Sequence, residues 1–255
     1  GKPVASAQVQ PMEDLDQAYG LILYRKKLAS AVKGSLFLPA ARDYVFVMLD
    51  GKVIADGLTD PKRPSFTVDV NAPAGSTLDI LVENMGRTSS PFDQRNSRKG
   101  LEGNPTLDGV ALKDWQISTM PLTEGPLATT HTGPVGIPTG PTLYRGSFTL
   151  PAKGETYLNL QEWTFGVVWV NGHNLGRFWN VGASHSLYLP STWQKTGRND
   201  ITVLELGPPP RTAQVKGETE MAIAPVKPFR PLWSSGPAQQ LRHVEGQGDE
   251  GGGLQ

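Results

Sequence analysis

The sequence contains no cysteine, which excludes disulfide bonds, thiolate nucleophiles and cysteine-based zinc sites. Only four histidines are present. His173 and His185 are the two in the regularly patterned part of the chain, and neither has a further histidine or carboxylate at a metal-ligand spacing. We therefore expect no metal site and no cofactor.

The chain also lacks an excess of either charge, with 24 basic residues, 24 acidic residues and a formal net charge of zero. No overall field attracts nucleic acid or an anionic membrane surface, so we expect neither as a partner. No run of about twenty apolar residues predicts a membrane span. N-glycosylation acceptors are absent because Asn104 is followed by Pro105, which fits a bacterial periplasmic or extracellular protein.

Glycine and proline are abundant, at 29 and 22 residues, and they interrupt the chain too often for long helices. Between them lie short runs rich in Val, Leu, Tyr and Phe, which are typical of β-strands. Two runs end in the dipeptides Asp50-Gly51 and Asn171-Gly172, whose residues tolerate the positive φ of a type I′ hairpin turn. The sequence therefore predicts an all-β fold.

Several landmarks of the first half recur in the second half in the same order, about 120 residues later. The pairs are Tyr24-Arg25 with Tyr144-Arg145, Asp50-Gly51 with Asn171-Gly172, and Asp79-Ile80-x-Val82 with Asp200-Ile201-x-Val203. This repeat predicts two β-sandwich units of ordinary domain size. We place a linker at residues 1–18, the first sandwich at 19–112, the second at 113–232 and a flexible tail at 233–255.

The block Trp169–Tyr188, WVNGHNLGRFWNVGASHSLY, closely resembles the last jelly-roll domain of family 35 glycoside hydrolases, the β-galactosidases. Three other blocks resemble the same family in the same order. They are YGLILYRKKL at Tyr19–Leu28, LDILVENMGR at Leu78–Arg87, and KGLEG followed by LKDWQISTMPL within Lys99–Leu122. The resemblance implies two jelly-roll, galactose-binding-like β-sandwich domains.

The resemblance also implies a catalytic (β/α)₈ barrel as the partner of these domains within one enzyme. The family cleaves terminal β-galactosyl residues with two glutamates at the ends of barrel strands. No position in this sequence matches either glutamate motif, so we assign no catalytic residue and expect the chain alone to be inactive. Glu83 and Glu205 follow matching strands of the two units, and a structural role explains both.

Arg87 and Phe92 are the candidates for lining the substrate in the complete enzyme. In the family, the loop after ENMGR leans over the barrel mouth and presents a tyrosine there. In this sequence the loop reads Thr-Ser-Ser-Pro-Phe, without a tyrosine. Phe92 would supply the ring of that tyrosine but not its hydroxyl group.

Five other residues could contact either a sugar or the neighbouring domain: Trp163, Asn171, Asn174, Arg177 and Trp179. Tryptophan rings can stack on sugar C–H faces, but they more often pack inside proteins. The asparagine amides and the arginine guanidinium can bind hydroxyl groups, but they equally stabilise turns and ion pairs.

Three functions therefore remain open from the sequence. The leading one is a structural scaffold that braces the barrel and shapes the rim of its active site. The second is a galactoside-binding module, which would need exposed aromatic rings on a concave face. The third is an independent hydrolase, which would need two facing carboxylates in a cleft.

Overall fold

The structure is a computed structural model that describes residues 2–87, 97–125, 137–181, 185–223 and 230–233. Its strands are short and antiparallel throughout, as the frequent glycines and prolines predict. Among the described residues, no helix has the length and apolar character needed to cross a membrane. The all-β prediction is confirmed.

The first unit is a sandwich of two sheets. Its strands are β1 (Val4–Ser6), β2 (Leu21–Lys27), β3 (Val32–Leu38), β4 (Ala40–Arg42), β5 (Tyr44–Leu49), β6 (Lys52–Leu58), β7 (Phe66–Ala72), β8 (Thr77–Glu83), β9 (Gly100–Glu102), β10 (Thr106–Leu107), β11 (Val110–Ala111) and β12 (Trp115–Met120), with a 3-10 helix at Met12–Leu15. The first inner sheet has the order β1-β12-β2-β8-β5-β6, and the first outer sheet has the order β11-β10-β3-β7. Strands β4 and β9 form a separate ribbon.

The second unit is a smaller sandwich. Its strands are β13 (Thr142–Leu150), β14 (Thr156–Asn159), β15 (Phe165–Val170), β16 (His173–Trp179), β17 (Ser186–Leu189), β18 (Gly197–Glu205) and β19 (Lys216–Glu218), with a 3-10 turn at Ser191–Trp193. The second inner sheet has the order β13-β18-β15-β16, and the second outer sheet has the order β17-β14-β19.

The two inner sheets repeat one topology. The order β2-β8-β5-β6 in the first unit corresponds to β13-β18-β15-β16 in the second. Both predicted hairpin turns are confirmed, since Asp50 and Gly51 have φ angles of 49° and 82°, and Asn171 and Gly172 have φ angles of 50° and 88°. The landmarks of the sequence repeat therefore lie on equivalent strands and turns.

The structure differs from the sequence-based division at both ends of the first unit. Strand β12, which the division after residue 112 assigns to the second sandwich, is hydrogen-bonded to β2. Strand β1, from the expected linker, extends the same sheet by pairing with β12. The physical reason is burial, because Trp115 and Ile117 of β12 point into the core of the first unit. The repeat landmarks end at Val82 and could not signal this strand.

Trp233 also differs from expectation, since the sequence places it in a flexible tail. Its backbone N–H donates to Asp56 at 3.0 Å, and its indole N–H donates to the Leu206 carbonyl oxygen at 2.7 Å. Leu232 and Trp233 pack against apolar side chains from both units. The remainder of the predicted tail lies outside the described residues.

The two inner sheets pack against each other and form a core between the units. This inter-unit core consists of buried side chains from both sheets and the residues next to them: Leu21, Tyr44, Phe46, Met48, Val53, Leu81, Phe165 and Leu206. The rings of Tyr44 and Phe165 meet across it at 5.5 Å. The central strands of the inner sheets, such as β5 and β15, are therefore covered on both faces, whereas the edge strand β13 is partly exposed.

This arrangement explains why β5 and β15 are apolar at successive positions rather than at alternate ones. Strand β15 is buried at all six positions, and β5 is buried at the first five of its six. A strand covered on only one face alternates apolar and polar residues, whereas one covered on both faces is apolar throughout.

Gly166 in β15 offers a direct test of this packing. A Cβ atom at that position would lie 1.7 Å from the carbonyl oxygen of Leu204 on the neighbouring strand. We expect Gly166→Ala to lower the free energy of unfolding by about 2–3 kcal/mol through overpacking. Denaturant unfolding of both proteins measures the difference.

Gly146→Ala is the matched control in the same sheet, because its Cβ would have its nearest neighbour, the Ile201 side chain, at 3.5 Å. An equal loss of stability in the two variants would contradict the close approach of backbone at Gly166.

Candidate functional site

The end of β8 meets β16 at the edge of the inter-unit core, and Arg177 makes the contact. Its Nε donates to Glu83 Oε1 at 2.9 Å. Its two terminal nitrogens donate to the carbonyl oxygens of Met85 at 3.2 Å and Asn84 at 2.9 Å. All three nitrogens of the Arg177 guanidinium group thus donate to one short segment of the first unit. The planar arrangement of these nitrogens allows the three hydrogen bonds to form at once.

Glu83 is almost completely buried, with 1% of its surface exposed. Burial raises the pKa of Glu83 to about 7, although the neighbouring Arg177 opposes that rise and the Asp43 carboxylate adds to it. Among the described residues, Glu83 Oε2 has no hydrogen-bond partner. Burial therefore disfavours the charged form of Glu83, and Arg177 of the other unit is the main group that stabilises that charge.

A second buried ion pair lies beside the first. Lys99 is 2% exposed, and its Nζ donates to both carboxylate oxygens of Asp43, at 2.8 and 2.6 Å. Asp43 also accepts the backbone N–H of Met85 at 2.8 Å. We refer to Asp43, Glu83, Lys99 and Arg177 as the junction network. It contains two acidic and two basic side chains, so each buried charge has an opposite charge near it.

Arg87 lies just after this segment, and its guanidinium group contacts Ser97 and Glu13. Its Nη1 donates to the Ser97 carbonyl oxygen at 3.0 Å, and its Nη2 donates to Glu13 at 2.5 Å. Burial acts to raise the pKa of Glu13, but hydrogen bonds from Arg87 and the Lys99 N–H outweigh it, and the pKa is lowered. Phe92 lies outside the described residues, so the substrate-lining role of Arg87 and Phe92 stays a prediction.

Two of the five candidates for sugar or domain contact lie inside the second unit. Trp163 is 3% exposed, packs edge-on against Tyr144 at 5.1 Å and donates its indole N–H to the Gln214 carbonyl oxygen at 2.8 Å. Asn171 uses its amide nitrogen within the hairpin region, at 2.8 Å from the Trp193 carbonyl oxygen. Their contacts are those of core packing and a turn.

Of the other three candidates, Asn174 and Arg177 hydrogen-bond to residues outside their own sandwich, whereas Trp179 packs on the inter-unit core. Asn174 Nδ2 donates to the carbonyl oxygen of Leu122, which follows the last strand of the first unit, at 2.6 Å. The Trp179 ring lies 5.2 Å from that of Phe165 and packs on the inter-unit core. Asn174 and Arg177 therefore have partners in or next to the first unit, and the choice between sugar and interdomain contact stays a prediction for all three residues.

Glu205 is another buried carboxylate, and its partners lie within the second unit. Its oxygens accept the backbone N–H groups of Thr164 at 2.8 Å, Phe165 at 3.0 Å and Gly207 at 2.7 Å. Burial raises the pKa of Glu205 to about 7, and these hydrogen bonds act against the rise. Glu205 thus stabilises the loop before β15, and Glu83 binds Arg177 at the contact between the units. Both contacts agree with the structural role expected for these two residues.

Metal-binding geometry is not found in the part of the chain that the structure describes, where no three His, Asp or Glu side chains cluster suitably. The junction network itself offers paired charges rather than an unpaired nucleophile or base. One of its two ion pairs, Arg177 with Glu83, links the two units, and the other, Lys99 with Asp43, lies within the first unit.

Sequence reasoning missed Asp43 and Lys99, although Lys99 stands in the KGLEG block that carries the family resemblance. It also missed Asp56, which accepts the Tyr44 hydroxyl at 2.6 Å and the N–H of Trp233. A single lysine or aspartate in a strand-rich sequence gives no local signal of its partner, because that partner is distant in the chain.

Comparison with known proteins gives two family matches. Residues 10–123 match the model described as "Beta-galactosidase, first all-beta domain", and residues 141–199 match "Beta-galactosidase, galactose-binding domain". Together these ranges cover more than half of the chain. The first range includes β12, in agreement with its place in the first inner sheet.

Curated relatives agree with these models. A β-galactosidase of Xanthomonas manihotis is 36% identical over 198 residues, covering 77% of this chain and 32% of that protein. A β-galactosidase of Homo sapiens is 33% identical over 231 residues, covering 80% of this chain and 33% of that protein. Human β-galactosidase-1-like protein 3 is 31% identical over 225 residues, covering 80% and 32%. The chain spans about a third of the length of these relatives.

Removing Arg177 tests the junction. We expect Arg177→Met to lower the free energy of unfolding by about 3 kcal/mol, because it leaves the Glu83 charge buried without its partner. Urea unfolding at about pH 8 measures the loss. Arg198→Met is the matched control, since the Arg198 side chain is 74% exposed on β18. Similar losses of unfolding free energy in both variants would show that the contact with Glu83 adds no more stability than an exposed arginine does.

Glu83→Gln tests the pH dependence of the junction. The pKa of Glu83 is raised in the folded state to about 7 from an ordinary 4.5, so its contribution to stability is complete below pH 4.5 and is lost as pH rises through 7. Glutamine does not titrate. We therefore expect the stability of the variant, relative to the unmodified protein, to rise by about 3 kcal/mol across this window. Urea unfolding at several pH values would refute the assignment if the two curves ran parallel.

Proposed function

This chain belongs to the β-galactosidase family, and from that membership we propose that it forms the non-catalytic β domains of an enzyme that hydrolyses terminal β-D-galactosyl residues. In this role it braces the catalytic (β/α)₈ barrel of the same polypeptide and shapes the rim of the active site. The observation that carries the proposal is the contact of Arg177 with Glu83 in the junction network, which joins the two matched domains.

The buried carboxylates support a structural role over an independent hydrolase. A retaining glycosidase needs two carboxyl groups about 5–5.5 Å apart that face the scissile bond. Glu83 is engaged by Arg177, and Glu205 accepts three backbone N–H groups. Both are buried inside the protein, so neither is available to a substrate in a cleft.

A rigid junction suits a scaffold that presents residues to a neighbouring active site. Displacing a substrate-positioning group by about 1 Å can cost about a hundredfold in rate. Arg87 lies four residues after the end of β8 and is fixed by Glu13 and by the Ser97 carbonyl oxygen. We propose that the segment beginning at Arg87 forms the rim above the barrel, with Phe92 as its ring.

The test has two parts. The purified 255-residue chain is expected to give no hydrolysis of a chromogenic β-galactoside above the buffer rate. The native protein, isolated from its source, is expected to be a polypeptide about two and a half times as long, since the relatives exceed this chain by roughly that factor. Turnover by the pure chain, or a native protein of this length alone, would overturn the proposal.

A further inference from the structure

One side of the second sandwich is open. Strand β13 is an outermost strand of the second inner sheet, and β19 is an outermost strand of the second outer sheet. A groove of about 590 Å³ runs along β13 between these two sheets. The apolar and aromatic side chains along it include Tyr144, Phe148, Leu158, Trp163, Ile201 and Val203. All six belong to the hydrophobic core of the second unit, so the groove leads into that core.

In the first unit a strand closes the equivalent side. There β2, the strand equivalent to β13, pairs on its outer edge with β12, which in turn pairs with β1. Trp115 and Ile117 of β12 are buried in the first core. Ile117 lies opposite Tyr24 of β2, and Tyr144 is the counterpart of Tyr24 in the sequence repeat. Within the described ranges the second unit has no counterpart of β12, and the groove lies in its place.

The burial of the two equivalent strands reflects this difference. Strand β2 is buried at three of its seven positions, whereas β13 is buried at none of its nine. Natural proteins pair or cover edge strands of this length, because exposed backbone groups otherwise pair with other chains. The outer edge of β13 is therefore a site for a further strand.

Gly146 leaves space for an additional side chain in the middle of this groove. Alternate residues of a strand point to one face, so Gly146 shares its face with Tyr144 and Phe148, which pack on the second core. A Cβ atom at Gly146 would have the Ile201 side chain as its nearest neighbour, at 3.5 Å. A strand laid along β13 thus has room for an apolar side chain beside Gly146, as β12 places Ile117 in the first core.

The occupant of the groove must be a strand whose apolar side chains are free to enter it. A second copy of this chain does not meet that requirement through its own β13, because Tyr144 and Phe148 already pack in their own core. The remainder of a longer polypeptide does meet it. The curated relatives supply that length, since the chain spans only about a third of them.

We propose that a strand from the part of the polypeptide outside these 255 residues pairs antiparallel with β13 and closes the second core with apolar residues at alternate positions. It takes the place that β12 takes in the first unit. This inference rests on the proposed function, which makes the chain part of a longer enzyme, and it names the edge at which the remainder of that enzyme docks.

Hydrogen exchange, measured by mass spectrometry, tests the pairing in the isolated 255-residue chain and in the complete native polypeptide. We expect the β13 amide groups to exchange at least about tenfold more slowly in the complete polypeptide, because pairing adds backbone hydrogen bonds along the outer edge. The control is β7, an outermost strand of the first outer sheet, whose exchange should change by less than about twofold.

Gly146→Val provides a second measurement with different expected results in the two proteins. In the isolated chain, valine fills part of the groove and favours extended backbone, so we expect Tm to rise by about 2–4 °C. In the complete polypeptide, the same side chain takes the space of the incoming one, so the protection of β13 should be lost. Gly146→Ala is the matched control, because a methyl group is accommodated there and should leave the protection unchanged.

Three results would overturn the inference. Equal exchange of β13 in the two proteins would show that nothing outside the chain pairs with it. Slow exchange of β13 in an isolated chain that sediments as a dimer would assign the edge to a second copy, and in a monomer it would assign the edge to another part of this chain. Undiminished protection in Gly146→Val would exclude the groove as the docking place. A complete polypeptide that hydrolyses a β-galactoside but shows equal exchange would overturn this inference alone and leave the proposed function standing.

Discussion

The contact between Arg177 and Glu83 is the interaction on which the arrangement of the two units depends. The inter-unit core around it is apolar, and apolar contact is strong but not directional. Apolar contact alone would allow one inner sheet to shift over the other with little loss of buried area. The guanidinium group removes that freedom, because its three nitrogens bind one carboxylate oxygen and two carbonyl oxygens at fixed positions. Buried ion pairs contribute modestly to stability, and we infer that this one contributes orientation.

Burial on both faces then dictates the sequence of the inner strands. Residues of β5 alternate between two cores, with Val45 and Val47 in the first unit and Tyr44 and Phe46 in the inter-unit core. No position of such a strand faces water, so none can be polar without a partner. Glu83 ends β8 at this boundary, which is why it needs an arginine from the other unit.

Part of this architecture could be predicted from the sequence because it depends on residues that are adjacent in the chain. The two hairpins rest on residues adjacent in sequence, so Asp50-Gly51 and Asn171-Gly172 revealed them, and the repeat of such turns revealed two units. Partners far apart in sequence left no such sign. Arg177 and Glu83 are separated by 94 positions, and the ambiguity over Arg177 between sugar and domain contact could not be resolved from the chain alone. The same holds for β12, whose membership of the first inner sheet depends on a pairing with β2, and for Trp233, whose indole bonds to Leu206.

The order of the four layers also determines which surfaces the junction leaves open. The first outer sheet and the first inner sheet lie on one side of the inter-unit core, and the second inner and second outer sheets lie on the other. Arg177 belongs to the second inner sheet and points towards the first unit. The solvent-facing sides of the two outer sheets therefore take no part in the junction network.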